Sequence, residues 1–256
     1  ADRIGQESGI SPERRSILLT ANATNFSSII PINSAFVMGA VTVINQLAAN
    51  HAYLPVALCA SGWCPSAIAA DIAEGPLSAA RSHVQGAGLA SCIECRQSDG
   101  LLRIRPGEAD GAVFCGMGGP LIEHLLEQSP DVVRSFSFLI LQPQSQASRL
   151  RQYLYSHGWH ITAERLIQED GRLYEMMKAE PGRGEIQEEW MYDVGPCNWQ
   201  SKDPLLPLLI RQIIEKDRTI CQGLQKSQQD QNSRQETLRA HIQTMEALLC
   251  RYNSVK

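Results

Sequence analysis

Four short stretches of the chain hold residue types that can bind a nucleoside and act on it. They are Asn50-His-Ala-Tyr-Leu-Pro55, the acid Asp71 followed by Ile72 and Glu74-Gly-Pro, the pair Asp99-Gly100, and the run Gly116-Met117-Gly118-Gly119. A carboxylate such as Asp71 at the end of a strand can accept both hydroxyl protons of a ribose, because it offers several lone pairs in one plane. Asp99 can accept from the amino group of an adenine. The glycines at 116, 118 and 119 let backbone amides come close to a ligand. Singly, each has an ordinary reading. An Asp-Gly pair is most often a turn, Gly-Met-Gly-Gly can simply start a helix, Tyr53 can pack, and His51 can cap a helix. Their succession at consecutive strand ends is what carries weight.

Such a succession needs a sheet to align it, and the hydrophobic pattern supplies one. Residues 1–40 show no steady period and are left unassigned. From Val41 onward, apolar β-rich runs alternate with helical ones. Strands are expected at Val41–Leu47, Ser66–Asp71, Ser91–Arg96, Gly111–Cys115 and Phe136–Leu141. Helices are expected at Ala52–Ala60, Leu77–Gln85, Pro120–Glu127 and Ser145–Ser156. This alternation implies right-handed crossovers and a mostly parallel sheet that binds ligands at its carboxyl ends. Trp159–Gln168 and Arg172–Glu180 then read as two consecutive strands joined at Asp170-Gly171, a strong hairpin signal. The expected fold class is α/β, a Rossmann-like class I methyltransferase sheet ending in an antiparallel hairpin; the dinucleotide fingerprint GxGxxG is absent.

A connector rich in Pro, Gly and acids, Pro181–Pro204, separates this body from a helical C-terminus. There Leu206, Leu209, Ile210, Ile213 and Ile214 recur at helical spacing, as do Leu238, Ile242, Met245 and Leu249. Two helices folded into a coiled-coil hairpin would cover both stripes; the first could equally pack on the main domain. The expected domains are therefore an unassigned segment 1–40, a methyltransferase domain 41–204 and a helical domain 205–256.

Composition bounds the reading further. With 43% hydrophobic and 20% charged residues, the 256-residue chain has the material for a real core and is not disordered. The net charge of −4 gives no overall sign of a nucleic-acid binder, yet residues 205–256 carry 8 basic against 5 acidic side chains, leaving an acidic body and a basic tail. The eight cysteines lack disulfide-scaffold density, and reduced thiols in a cytoplasmic protein are expected. Cys92 and Cys95 form a lone CxxC inside a strand-like segment with no partner pair at zinc spacing, so no metal is expected. No apolar run is long enough to span a membrane. The start at Ala1, without a methionine or a secretory leader pattern, is compatible with a trimmed chain.

In ordered succession, NHAYLP, AADIAEGPLSAA, QSDGLLRIRPGEAD, CGMGGPLIEHLLE, LILQPQ, LRQYLYSHGW, EDGRLYE and VGP run from about Asn50 to Leu206. This pattern resembles the bacterial tRNA adenine-N1 methyltransferases that modify position twenty-two. The resemblance implies a Rossmann-like domain that binds S-adenosylmethionine, followed by a helical coiled-coil domain. It places Asp71 on the cofactor ribose with Ile72 beside it, Asp99 and Gly100 at the adenine, and Gly116, Met117, Gly118 and Gly119 next to the methyl-donor end. His51, Tyr53 and Pro55 would line the mouth where the target base arrives, with aromatic and proline planes suited to stacking on a splayed-out purine.

One motif departs from the family. Where its members write Asp-Ile-Gly-Ser/Thr-Asp, this chain has Gln46-Leu47-Ala48-Ala49-Asn50, losing two acids and a glycine. A Cβ at Ala48 would crowd the cofactor if that backbone turns left-handed, while Gln46 keeps hydrogen-bonding capacity without charge. The expected catalytic residues are Asn50 and His51, and the expected partner is tRNA, bound through phosphates by Arg149, Arg151 and the basic tail. A monomer with no membrane association is expected. The competing readings are a catalytically impaired, methyltransferase-like tRNA-binding protein, and an enzyme of another substrate whose tail binds protein.

Overall fold

The computed structural model describes residues 16–21, 52–225 and 232–254. The chain divides into two compact units, residues 1–184 and 185–256. The first is built on seven strands: β1 (Ser16–Ala21), β2 (Ser66–Asp71), β3 (Ile93–Gln97), β4 (Gly111–Gly118), β5 (Phe138–Ser145), β6 (Trp159–Glu169) and β7 (Arg172–Pro181). They form one sheet in the order β3-β2-β1-β4-β5-β7-β6. The pairings are parallel from β3 through β5 and antiparallel at β5–β7 and β6–β7. The hairpin turns at Asp170-Gly171, where both residues take positive φ, as the sequence pair requires.

Helices α1 (Tyr53–Ala60), α2 (Glu74–Gly86), α3 (Gly119–Glu127), α4 (Pro130–Arg134) and α5 (Ala147–Ser156) fill the connections. Leu54 and Leu58 of α1, with Ala80 and Val84 of α2, join Ala67, Ala69, Val113, Cys115, Phe138 and Ile140 in one core cluster on one face of the sheet. The alternate set, Ala112, Phe114, Leu139 and Leu141, is also buried; its side chains stand on the opposite face, where α3 and α5 pack on β4, β5 and each other. Burial on both faces is why β2, β4 and β5 read as nearly unbroken apolar runs.

Two expectations change here. The central strand position belongs to Ser16–Ala21, within the stretch left unassigned by its pattern, and the expected strand Val41–Leu47 lies outside the described residues. Both runs are short and apolar, and periodicity cannot rank two such runs for one slot. Arg151 is the second correction. It is fully buried on α5, its Nε donating to Glu164 Oε1 and its Nη2 to Glu175 Oε2, both at 2.7 Å. It therefore ties α5 to β6 and β7 and does not meet tRNA phosphates. The spacing explains this: Ala147, Leu150, Arg151 and Leu154 form the inward stripe of α5.

The second unit begins twenty residues before the expected boundary, because the connector folds into α6 (Met191–Val194) and α7 (Pro196–Gln200) and belongs with the helices that follow. Trp199 packs edge-on against Trp190, with ring centroids 4.8 Å apart, and lies 6.1 Å from Tyr252, whose hydroxyl donates to Asp203 O at 2.8 Å. Helices α8 (Leu206–Gln225) and α9 (Asn232–Ser254) pack together, and the pairings Asp203–Tyr252 and Asp217–His241 run in opposite numerical directions, which makes the helices antiparallel. Among the described residues, no helix is long and apolar enough to cross a membrane.

Replacing Arg151 by Met should cost about 3–5 kcal/mol in urea unfolding, because the buried carboxylate of Glu164 loses its cationic partner; adding Glu164→Gln should recover much of that. In the helical unit, hydrogen bonds to Asp193 and Asp217 raise the pKa of His241 from 6.5 to about 9. The stability this contributes is complete below about pH 6.5, where the unfolded histidine is also protonated, and is lost as pH rises through about 9. Hydrogen exchange of α9 should therefore quicken across that window, and His241→Gln should flatten the dependence.

Candidate active site

Parallel register brings the strand ends level. Asp71 pairs with Gln97, Ala21 with Cys115, and Cys115 with Gln142, while Thr20 pairs with Ala70 one step before Asp71. One row therefore runs across the sheet from β3 to β5. Asp71 and Cys115 are two strand spacings apart in it, about 10 Å.

At the β2 end, Asp71 is 9% exposed, and its Oδ1 accepts the backbone N–H of Ala73 at 2.8 Å. Burial pushes its pKa above the ordinary carboxylate value, opposed by the amides of Ala73 and Ile72. Beside it the β3 end is stitched down. Ser98 N–H donates to Asp71 O at 2.9 Å, Gln97 Nε2 donates to Ile72 O at 3.1 Å, and Ser98 Oγ bonds Gly100 O at 3.0 Å while accepting from Arg103 N–H at 3.1 Å. Gly100 has φ +52°, and a Cβ there would sit 2.5 Å from Leu125 Cδ2, so any other residue would strain the backbone and displace the Leu125 side chain. Asp99 is exposed, and the adjacent Ile72 and Leu102 present more than half of their surfaces to solvent. Two exposed aliphatic side chains flanking an exposed acid and a half-sequestered one suit a flat heterocycle carrying a sugar.

The β4 end is bent out of the ladder. Register shifts fall between Cys115 and Met117 and again between Met117 and Gly118, and Gly116 has φ +77°. Its N–H is turned to Gln142 Oε1, 2.9 Å away. Gly119 starts α3, with no side chain capping the helix; a Cβ at 119 would lie 2.8 Å from Gln146 O and 3.0 Å from Ser145 O. Gly119 therefore serves backbone-to-backbone contact with the end of β5. Met117 is buried, and burial pushes the Cys115 thiol up to about 12, so this cysteine stays protonated at neutral pH and offers no thiolate.

Of the site residues named from sequence, Asp71, Ile72, Asp99, Gly100, Gly116, Met117, Gly118 and Gly119 share this row of strand ends. Gln46, Ala48, Asn50 and His51 lie outside the described residues. Tyr53 opens α1 half-buried, its ring centroid 4.4 Å from that of His83, and Pro55 is buried in the first turn. Ala52, just before α1, has φ +52°, a left-handed backbone that costs a non-glycine residue about 1–2 kcal/mol. Arg149 is well exposed, and its Nε donates to the buried Glu123 at 2.9 Å. Sequence reasoning missed Ser98, Leu102 and Gln142. Gln142 left a signal, a polar residue inside the apolar run Phe138-Leu-Ile-Leu-Gln-Pro.

Comparison with known proteins now bears on the chemistry. The family model described as tRNA (adenine(22)-N(1))-methyltransferase matches residues 45–247. The chain belongs to this family. The Bacillus subtilis (strain 168) tRNA (adenine(22)-N(1))-methyltransferase is 40% identical over 140 residues, 55% of this chain and 59% of that protein. The chain spans about three fifths of the length of the curated relatives it matches. The crystal structure of the B. subtilis M1A22 tRNA methyltransferase TrmK superposes with a TM-score of 0.74 at 27% identity, covering 93% of both chains. A Streptococcus pneumoniae protein described as a candidate tRNA (m1A22) methyltransferase, crystallised with S-adenosyl-L-methionine, gives a TM-score of 0.72 at 26% identity, covering 92% of this chain and 93% of that one.

Gly119→Ala should lower the urea midpoint by an amount equivalent to about 1–3 kcal/mol, since the added methyl meets backbone that cannot step aside. A midpoint equal to wild type would mean that β5 and α3 do not abut as described.

Proposed function

We propose that this chain transfers the methyl group of S-adenosylmethionine to N1 of an adenine in tRNA, at position twenty-two as the family description has it. The observation that carries the reading is the level row of Asp71, Asp99 and Gly116–Gly119 at neighbouring parallel strand ends, in a chain of this family. The residues present fit the cofactor: a carboxylate for the ribose at Asp71, apolar surface for the adenine at Ile72 and Leu102, and a glycine backbone with no Cβ at 116, 118 and 119.

The cofactor supplies an electrophilic methyl on a sulfonium. Adenine N1 already carries an in-plane lone pair at neutral pH, so the chain needs no strong general base. Its task is to align that nitrogen with the methyl, exclude water and accommodate the positive charge arriving on the base. Asp71 fixes the nucleoside end and Gly116–Gly119 shape the methyl end; Asn50 and His51, just before α1 in sequence, are the residues assigned to the reacting nitrogen, and Tyr53 and Pro55 those assigned to the mouth. Arg149 and the exposed Arg211, Lys216, Arg234 and Arg239 of α8 and α9 engage phosphates. The antiparallel α8–α9 pair is read as a coiled coil, and the protein as a cytoplasmic monomer.

The second reading, a tRNA-binding protein without methyl transfer, is favoured by one observation: Gln46-Leu47-Ala48-Ala49-Asn50 replaces two acids and a glycine of the family motif. Calorimetry with S-adenosylmethionine and methyl incorporation into tRNA separate the two. The chain should bind cofactor and methylate adenine N1, Asp71→Asn should weaken cofactor binding about tenfold or more, and Gln46→Asp with Ala48→Gly should raise affinity. Binding of tRNA with no heat from cofactor would select the second reading.

A further inference from the structure

Gln142 is completely buried, yet its two polar atoms are treated differently. Its Oε1 accepts the Gly116 N–H at 2.9 Å, while its buried Nε2 has no hydrogen-bond partner among the described residues. Leaving a buried N–H group without an acceptor forfeits the hydration it had in the unfolded chain, so a donor kept this way in a strand end needs a reason. The carboxamide cannot flip to relieve it: a flip would set two donors, Nε2 and Gly116 N–H, against each other. Gly116 thus fixes both the rotamer and the direction of the remaining donor.

Position gives that donor its object. The sheet runs β3-β2-β1-β4-β5, with the nucleoside-binding groups on β2 and β3 and the glycine run on β4. Gln142 stands in the next strand, paired with Cys115, one spacing of about 4.8 Å beyond the methyl end. Methyl transfer needs the incoming nitrogen opposite the departing sulfur, and Gln142 stands beside the glycine run on the strand away from the nucleoside-binding groups, where a donor can meet the base and not the cofactor's sugar. Alternation along β5 puts Gln142 on the same face as Phe138 and Ile140, the face covered by α1, at whose start Tyr53 stands.

We propose that Gln142 is a substrate-orienting residue: its oxygen locks the Gly116 backbone, and its Nε2 donates a hydrogen bond to a ring nitrogen of the target adenine other than N1. This rests on the reading of the chain as an adenine-N1 methyltransferase. The donor turns the purine so that the N1 lone pair, rather than another ring nitrogen, meets the methyl.

Two variants separate the roles. Gln142→Glu keeps an acceptor for Gly116 N–H and, when ionised, lacks the donor; Gln142→Met lacks both. Gln142→Glu should bind S-adenosylmethionine within about threefold of wild type by calorimetry and leave amide exchange of Gly116–Gly119 unchanged, while kcat on tRNA falls about 10- to 100-fold with KM for tRNA little altered. A buried carboxyl holds its proton to higher pH, and the protonated form donates again, so the ratio of variant to wild-type rate should rise as pH falls. Gln142→Met should quicken exchange at Gly116–Gly119 and show no such pH recovery. A Gln142→Glu variant that keeps wild-type kcat up to the highest pH at which the wild type is active, a reduced rate in a pH-independent ratio, or a loss confined to cofactor affinity overturns this role while leaving methyl transfer intact. A wild-type chain that neither binds cofactor nor methylates overturns the reading and this role together.

Discussion

Everything at the candidate site depends on the double pairing of Ser16–Ala21, hydrogen-bonded in parallel to β2 on one side and to β4 on the other. Without that ladder, the half of the sheet carrying Asp71 and Asp99 has no fixed register to the half carrying Gly116–Gly119 and Gln142. Parallel strands are joined by crossovers, not tight turns, so no local geometry could substitute for it.

On that frame, the β4 and β5 ends show how a site is kept open inside a well-packed body. A regular ladder would consume every amide at the strand ends. The two register shifts in β4, the positive φ of Gly116 and the Gln142 side chain together take one amide out of the ladder and satisfy it sideways. Close contact between the Gly118–Gly119 backbone and residues 145–146 holds the bend. The irregularity is local because the strands below it are buried on both faces and cannot follow.

Charge is used in two ways. Inside the first unit, Arg151 is neutralised by Glu164 and Glu175 in a pocket closed to water, where it specifies how α5 meets β6 and β7. In the second unit, His241 between Asp193 and Asp217 joins α6, α8 and α9 through a pair of charge-assisted bonds. Both networks engage their cations with internal partners, whereas Arg211, Lys216, Arg234 and Arg239 of α8 and α9 are exposed.

Much of this was legible in the linear chain. The β-α alternation, the Asp170-Gly171 hairpin, the strand Ser66–Asp71 and the place of Asp71, Asp99 and Gly116–Gly119 each at the end of its own strand follow from local periodicity and turn chemistry, which act over a few residues. The helical stripes of α8 and α9 did too. What tertiary structure alone decided were matters of partner choice: which apolar run takes the central slot, that Arg151 faces inward to two distant glutamates, that residues 185–204 belong with the helices, and that Gln142 reaches Gly116 across 26 positions. A residue type states what bonds a side chain can make. Only the packed fold states which groups stand within 3 Å to make them, and which buried atom is left over.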